Sequence, residues 1–307
     1  MIVSKLKYHL SALLLVFITS NEVFSQQDAQ ASMYMFNPLQ FNPGYTGSRG
    51  ALNATLVNRA QWLGVSGAPV TQFLSVHAPI ARKAFGIGGH FSNDIIGAKY
   101  NTAVFADLAY SQPLGKGKRI NFGMSAGLDM YNFDFTAKKL NPNDPTDINF
   151  LVQDSKVAFN TGIGVYFHAK KFYTGISVPR LMKASWNNVD LAVQHFFIAA
   201  GYVYPINTVT DLKLSTLLKV VKNAPLTMDI NANLFFYKKF WVGGMYRYNE
   251  SFGLNMAIQL QEKWMFGYSF DFVYNQLRST KNIGTHELML TYDMNGRRSI
   301  YASPRYF

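Results

Sequence analysis

The chain has 307 residues, of which 49% are hydrophobic, 15% aromatic and 15% charged, and its net charge at pH 7 is +12. Soluble domains usually contain about a quarter charged residues, so this chain is poor in charge. Its 25 Phe and 18 Tyr provide too much apolar surface for a disordered protein. The absence of cysteine excludes disulfide scaffolds, thiolate metal sites and cysteine nucleophiles. The positive charge suits an anionic membrane surface, an acidic protein or nucleic acid.

The first 25 residues have the pattern of an export signal. Lys5 and Lys7 precede a short apolar run at residues 10–18, and Ser25 is the small residue at the expected cleavage site. The apolar run is too short for a membrane-spanning helix, and no run of about 18 apolar residues follows it. We therefore expect residues 1–25 to be a signal peptide and the protein to be exported.

Alternating apolar and polar residues characterise most of the chain after residue 50. Met228, Ile230 and Ala232, for example, alternate with Asp229 and Asn231. A period of two is typical of a strand with one apolar face. A β-sandwich would carry many Lys and Glu on its outer faces, whereas the polar positions here are mostly Gly, Asn, Ser, Asp and Gln. The pattern therefore predicts an outer-membrane barrel with a polar lumen and aromatic girdles.

The predicted fold is all-β, a transmembrane antiparallel barrel of about 14 strands within residues 51–294. An even strand number is the rule for bacterial barrels made of one chain. The predicted strands are residues 51–62, 71–78, 85–95, 102–112, 119–133, 159–168, 172–178, 196–206, 212–221, 226–236, 240–248, 252–260, 264–273 and 286–293. Residues 26–50 form an Asn-, Pro- and Gly-rich segment in which the prolines argue against a helix. Residues 295–307 form a basic tail that we expect in the periplasm.

The lengths of the connections predict the orientation of the barrel. Short connections alternate with long ones, and the longest are residues 134–158, 179–195 and 274–285. Bacterial barrels carry short turns on the periplasmic side and long loops outside, so both termini are expected in the periplasm. Lysines gather in the short turns and acidic residues in the long loops.

Three features associated with chemistry lack the context that the chemistry needs. Residues 123–127 match G-x-S-x-G, but they lie within a strand, so we interpret them as small lumen residues around Ser125. The histidines are scattered without metal-ligand spacing, and the oxygen-rich run 141–149 lacks the spacing of a calcium loop. We therefore predict no cofactor, no metal site and no enzymatic activity.

Polar residues on the predicted inner face are candidates for lining a pore or binding a plug, and the alternative is that they hydrogen-bond within a wet interior. These lumen residues are Asp107, Asp129, Asp229, Asn231, Asn233 and Asp271. The inward aromatics Phe105, Tyr131 and Tyr166 favour a filled lumen. Whether the lumen is open or plugged is left undecided by the sequence.

Several blocks of sequence resemble the PorP/SprF family of type IX secretion membrane proteins. In chain order they are YMFNPLQFNPGYTGSRG at 34–50, RAQWLG at 59–64, GAPVTQ at 67–72, SVHAP at 75–79, NDIIG at 93–97, SVP at 177–179, LKVVKNAPL at 218–226 and HELML at 286–290. The resemblance implies an outer-membrane barrel that serves type IX secretion and, in some members, gliding motility. It implies as partners secreted proteins with a C-terminal sorting domain and periplasmic or peptidoglycan-linked components. It supplies no catalytic residues, and the tail beyond Asp293 departs from it.

The leading hypothesis is a non-enzymatic barrel in the outer membrane that anchors a secreted, adhesin-like surface protein and contacts periplasmic machinery. The residues predicted to bind these partners are Asp144, Asp147, Asp154, Arg180, Lys183 and Trp186 in the long loops, and Lys170, Lys171, Lys238, Lys239, Arg297 and Arg298 in the turns and tail. The barrel wall is expected to contact lipid, and nucleic-acid binding is not expected because the basic residues form no stripe. The alternatives are a diffusion channel or small-molecule transporter, and an outer-membrane hydrolase.

Overall fold

The computed structural model describes residues 30–80, 84–134, 153–186, 189–222, 224–261, 263–274 and 283–294. The strands are β1 (Asn53–Ala60), β2 (Val70–Ile80), β3 (Phe85–Ile96), β4 (Lys99–Gly115), β5 (Lys118–Asp134), β6 (Gln153–His168), β7 (Phe172–Val178), β8 (Ala184–Trp186), β9 (Val189–Ala192), β10 (His195–Pro205), β11 (Thr210–Val221), β12 (Thr227–Phe236), β13 (Phe240–Arg247), β14 (Ser251–Leu260), β15 (Trp264–Val273) and β16 (Thr285–Asp293). No helix within these ranges is long and apolar enough to cross a membrane.

Fourteen of these strands form a closed antiparallel barrel. Each strand pairs with its neighbour in the chain, β7 pairs with β10, and β1 pairs with β16 to close the cylinder. The predicted strand number and fold class are confirmed. Strand β6 begins six residues earlier than predicted, at Gln153 instead of residue 159. The sequence missed the hairpin β8–β9, which lies in a predicted loop, because strands of three and four residues are too short to show alternation.

Alternation along each strand separates a lipid-facing wall from a lumen. Ile230 is 43% exposed on the outside, whereas its neighbours Asp229 and Asn231 are fully buried inside. The outer wall is bounded by aromatic pairs: the ring of Trp264 packs against Tyr292 at one end, and that of Phe252 against Tyr274 at the other. These girdles are typical of barrels at the two membrane interfaces.

The two ends of the barrel differ in their connections. The turn end carries the short connections 116–117, 169–171, 237–239 and 261–263. The loop end carries the longest connections, 135–152, 179–194 and 274–284. The chain enters β1 and leaves β16 at the turn end, because Asn53 pairs with Asp293 there.

Candidate functional site

The lumen is occupied by residues 30–50, here called the N-terminal segment. From residue 31 to residue 46 every residue is buried except Gln40, which is half-buried. The segment folds into three short 3₁₀ turns, Tyr34–Phe36, Pro38–Gln40 and Pro43–Tyr45. Pro38 and Pro43 begin two of these turns, where the missing N–H costs nothing, and the side chain of Asn42 accepts a hydrogen bond from the Gly44 N–H at 2.8 Å. The prolines correctly predicted that no α-helix forms here.

A buried ionic cluster holds the beginning of the N-terminal segment near the loop end. Arg59 contacts Asp271 at 2.9 Å and Glu287 at 3.0 Å. Glu287 accepts hydrogen bonds from the backbone N–H groups of Ser32 and Met33 at 2.7 and 2.8 Å. The Ser32 hydroxyl donates to Asp271 and accepts from Arg59. Two carboxylates and one guanidinium therefore bind each other and the backbone of the segment at the same place.

A second ion pair lies beside the first. Arg247 donates two hydrogen bonds to the carboxylate of Asp229, both at 2.9 Å, and a further one to Glu250 at 3.0 Å. The side-chain amide of Gln30 donates to the same Asp229 carboxylate at 2.6 Å. The first described residue of the chain is thus tied to the loop-end half of the lumen, although the segment joins β1 at the turn end.

A buried lysine contacts the middle of the N-terminal segment. The Lys213 ammonium donates to the backbone carbonyl of Met35 at 3.3 Å. It lies 5.2 to 5.9 Å from the ring centres of Phe36, Tyr173 and Trp241. Aromatic rings attract a cation through their negative faces, so this cage compensates part of the cost of burying the charge.

Glycines on β5 and β6 let the backbone of the segment approach the barrel wall. A Cβ on Gly123 would lie 2.3 Å from the Gly44 nitrogen and from the Pro43 carbonyl carbon. A Cβ on Gly164 would lie 2.1 Å from the side-chain oxygen of Asn42. These positions exclude any side chain. In the G-x-S-x-G pattern, Gly123 therefore lies against the N-terminal segment, whereas Gly127 lies against Phe105 of β4.

The end of the segment is anchored at the turn end. Arg49 forms an ion pair with Asp293 at 2.9 Å and donates to the Tyr45 hydroxyl at 3.0 Å. Burial raises the pKa of Tyr45, so its phenol stays neutral and serves Arg49 as an acceptor. The Gly47 N–H donates to Nδ1 of His77 at 3.1 Å, and the His77 ring packs edge-on against Tyr45.

The structure places the six predicted lumen residues inside the barrel, all buried: Asp107, Asp129, Asp229, Asn231, Asn233 and Asp271. Asp107 bonds to His90 at 2.8 Å, and Asn231 accepts from the Asn255 amide at 2.8 Å. Asp129 contacts Nε of Arg180 at 3.0 Å. Arg180, predicted as a partner residue in a long loop, thus points into the lumen.

The other predicted partner residues are distributed over both ends. Lys170 and Lys171 lie between β6 and β7, Lys238 and Lys239 between β12 and β13, and all four are exposed at the turn end. Lys183 is exposed near the loop end and Asp154 is half-buried on β6. Trp186 belongs to β8, and its side chain is outside the described part. Asp144, Asp147, Arg297 and Arg298, together with the predicted signal peptide and tail, also lie outside it.

Several buried charged residues escaped the sequence prediction, namely Arg59, Lys213, Arg247 and Glu287. Each lies at an inward position of its strand, in phase with residues such as Thr55 and Val57 on β1. The sequence did contain a signal for them, because each charged residue alternates in step with the residues of the lumen face. In the described part, no group of three or more His, Cys, Asp or Glu residues is arranged to hold a metal ion.

Residues 23–292 match the family described as type IX secretion system membrane protein PorP/SprF. None of the curated proteins compared with the chain matches it. Among solved structures, the chain is similar to the KdgM porin, with 9% identity, 79% of this chain and 99% of that one covered, and a TM-score of 0.38. It is also similar to the NanC porin (10%, 80% and 100%, TM-score 0.42) and to the CymD monoaromatic hydrocarbon channel (10%, 86% and 93%, TM-score 0.46). These are distant likenesses between barrels, and no function is taken from them.

Proposed function

Because the chain belongs to the PorP/SprF family of type IX secretion membrane proteins and is an outer-membrane β-barrel, we propose that it is a non-enzymatic docking component of that system. Its loop end holds a secreted, adhesin-like surface protein with a C-terminal sorting domain. Its turn end contacts periplasmic secretion or peptidoglycan-linked components.

The occupied lumen is the observation that carries this proposal. The N-terminal segment crosses the lumen and is tied to the wall at both ends. At one end the backbone N–H groups of Ser32 and Met33 donate to Glu287, and at the other Arg49 forms an ion pair with Asp293. Removing one partner of a buried ion pair is costly, so these contacts keep the segment in place. A barrel whose lumen is filled in this way suits a protein that binds others at its ends better than a diffusion channel.

The distribution of charge supports separate partners at the two ends. Lys170, Lys171, Lys238 and Lys239 are exposed at the turn end, where an acidic surface would be attracted. At the loop end, the start of the connection after β7 contacts the barrel, with Arg180 paired to Asp129 at 3.0 Å and the Leu181 N–H bonded to the Thr161 carbonyl at 2.8 Å. The connection after β7 therefore gives the loop end an ordered surface on which a partner could bind.

The proposal is tested by deleting the gene and measuring which surface proteins leave the cell. We expect at least one protein with a C-terminal sorting domain to be lost from the cell surface, and the full-length protein to restore it. Purification of the tagged protein from outer membranes should recover the same surface protein. Unchanged surface proteins in the deletion strain would contradict the proposed function.

The turn end is tested by reversing its charge. Replacing Lys170, Lys171, Lys238 and Lys239 with Glu should weaken co-purification of periplasmic components, because electrostatic attraction becomes repulsion. The matched control reverses Lys183 and Lys222, which are exposed at the loop end. Both variants should migrate as folded barrels. Equal recovery of periplasmic components by both variants would contradict the proposed role of the turn end.

A further inference from the structure

Four polar side chains lie side by side on the outer wall of the barrel, and we call them the outer polar row. They are Asn58 on β1, Gln72 on β2, Asn93 on β3 and Thr102 on β4. Each is the direct register partner of the next. Gln72 is exposed between Thr71 and Phe73, which are buried on the lumen side. Alternation therefore turns the row toward the membrane.

The outer polar row lies inside the lipid-facing band of the wall. Toward the loop end, the next outward residues are Val70 on β2, Ile95 on β3 and Tyr100 on β4. The first two are apolar, and tyrosine is typical of the membrane interface. Two residues of a strand span about 7 Å, so the row lies about that distance along the strands from the interface. Lipid tails offer no hydrogen bonds there, so amide groups that face them are costly.

The row is confined to one sector of the wall and is partly hydrogen-bonded within itself. Along the same register line, its neighbours are the apolar residues Leu288 on β16 and Met130 on β5. The Thr102 hydroxyl donates to the side-chain oxygen of Asn93 at 3.0 Å, and the Asn93 amide donates to the side-chain oxygen of Gln72 at 3.5 Å. A side-chain amide has two N–H donors and an oxygen with two lone pairs, so these two bonds use only part of its capacity.

Small outward residues lie beside the row in the same sector. Four residues closer to the turn end, Val76 pairs with Gly89, Gly89 with Ala106 and Ala106 with Ala126. In membranes, small residues let neighbouring protein segments approach closely, and polar side chains hydrogen-bond between them. The sector formed by β1–β4 thus combines hydrogen-bonding groups with room for a close approach.

The chemistry of the row favours a protein over a lipid as the group that covers it. Membrane lipids bear phosphate groups, and proteins recognise these with Arg and Lys. None of the members of the row is charged, and neither are the next outward residues, Val70, Ile95 and Tyr100. Amides are instead satisfied by groups that both donate and accept hydrogen bonds, and another amide is such a group.

We propose that the outer polar row is the contact surface between two copies of this chain, related by a two-fold axis along the membrane normal. Two copies inserted in the same direction carry their amides at the same depth, so the rows meet without any further adjustment. Because a side-chain amide both donates and accepts, the row is complementary to itself. Gln72 is the exposed member of the row, which places it nearest to the axis.

The first test is disulfide formation in the full-length chain, which has no cysteine of its own. Gln72→Cys places one thiol in the row, and two copies with different epitope tags are produced together and oxidised in outer membranes. The matched control is Ile198→Cys, at the second outward position from the loop end of β10 on the opposite wall. We expect a product with both tags for Gln72→Cys and none for Ile198→Cys, because a disulfide needs Cα atoms within about 7 Å.

The second test measures association without a cross-link. Purified copies carrying two fluorophores are mixed in lipid vesicles, and energy transfer between them reports the dimer. The double variant Gln72→Leu and Asn93→Leu stays compatible with lipid and should weaken association about tenfold or more, because hydrogen bonds between the copies are lost. Thr216→Leu on β11, at the far side of the barrel, is the control and should leave association unchanged.

The two tests together decide the proposal. A monomer in vesicles, association that the double leucine variant does not weaken, or a Gln72→Cys product that joins this chain only to a different protein would each overturn it. Neither test involves a secreted partner, so a failure here leaves the deletion experiment on the proposed function intact.

Discussion

Arg59 and Glu287 are register partners on β1 and β16, the two strands whose pairing closes the barrel. Their side chains meet at 3.0 Å inside the lumen, where both are almost completely buried. Glu287 also accepts two consecutive backbone N–H groups of the N-terminal segment, from Ser32 and Met33. The same carboxylate therefore bridges the two closing strands and holds the N-terminal segment.

Removing that carboxylate should destabilise the protein strongly. Glu287→Ala leaves Arg59 with a single carboxylate and two backbone N–H groups without their acceptor, so we expect a loss of about 3 kcal/mol in the free energy of unfolding. Glu250→Ala is the matched control, because Glu250 pairs with Arg247 but is 33% exposed, and we expect a loss of no more than about 1 kcal/mol. Urea unfolding of both variants in detergent measures the difference. Equal losses in the free energy of unfolding would show that the buried Glu287 contacts stabilise the protein no more than the partly exposed Glu250 pair does.

A side chain at Gly123 should displace the N-terminal segment. Gly123→Val places carbon atoms where Gly44 and Pro43 now lie, and overpacking of this kind costs about 1–3 kcal/mol. The chain has no cysteine, so Thr46→Cys provides a single buried label site. In the Gly123→Val background we expect faster maleimide labelling at this position.

Gly244→Ala is the control for the labelling experiment. A Cβ at Gly244 has no neighbour closer than 3.7 Å, so this change adds a methyl group without a clash. Labelling at Thr46→Cys should stay as slow in this background as in the otherwise unchanged chain. Slow labelling in the Gly123→Val background as well would mean that the close contact at Gly123 is not needed to keep the segment in place.

Conductance should be low because the N-terminal segment occupies the lumen. In planar bilayers we expect the purified protein to pass little current, and deletion of residues 30–46 to raise the current. The Gly123→Val variant, which keeps the full-length chain, should also raise the current. A large and steady current through the unaltered protein would instead support the diffusion channel.

The outer wall should tolerate charge according to depth. Met256 is exposed in the middle of β14, and Leu260 is exposed at the turn-end terminus of the same strand. Arginine at the membrane midplane costs about 2–4 kcal/mol and near the interface about 0–1 kcal/mol, so Met256→Arg should impair folding into lipid vesicles far more than Leu260→Arg. Heat-modifiable gel mobility measures the folded fraction. Similar folding of both variants would argue against a bilayer around this wall.

The sequence by itself determined the strands and their faces. Alternation is a property of two neighbouring residues, so Asp229 and Asn231 could be assigned to the lumen and Ile230 to the outer wall without knowing any partner strand. Glycine and proline in residues 34–50 likewise argued against an α-helix there.

The tertiary structure decided what fills the lumen and which charges meet there. Arg59, Asp271 and Glu287 lie far apart or on different strands in the sequence. They meet because Arg59 on β1 is the register partner of Glu287 on β16, while Asp271 on β15 lies diagonally beside Glu287, two residues from its direct partner. The same closure brings Ser32 into contact with all three of these side chains and leaves a cavity above Phe41. Strand pattern is encoded within a few residues, whereas the occupant of a closed cylinder depends on the shape and charge of all fourteen strands at once.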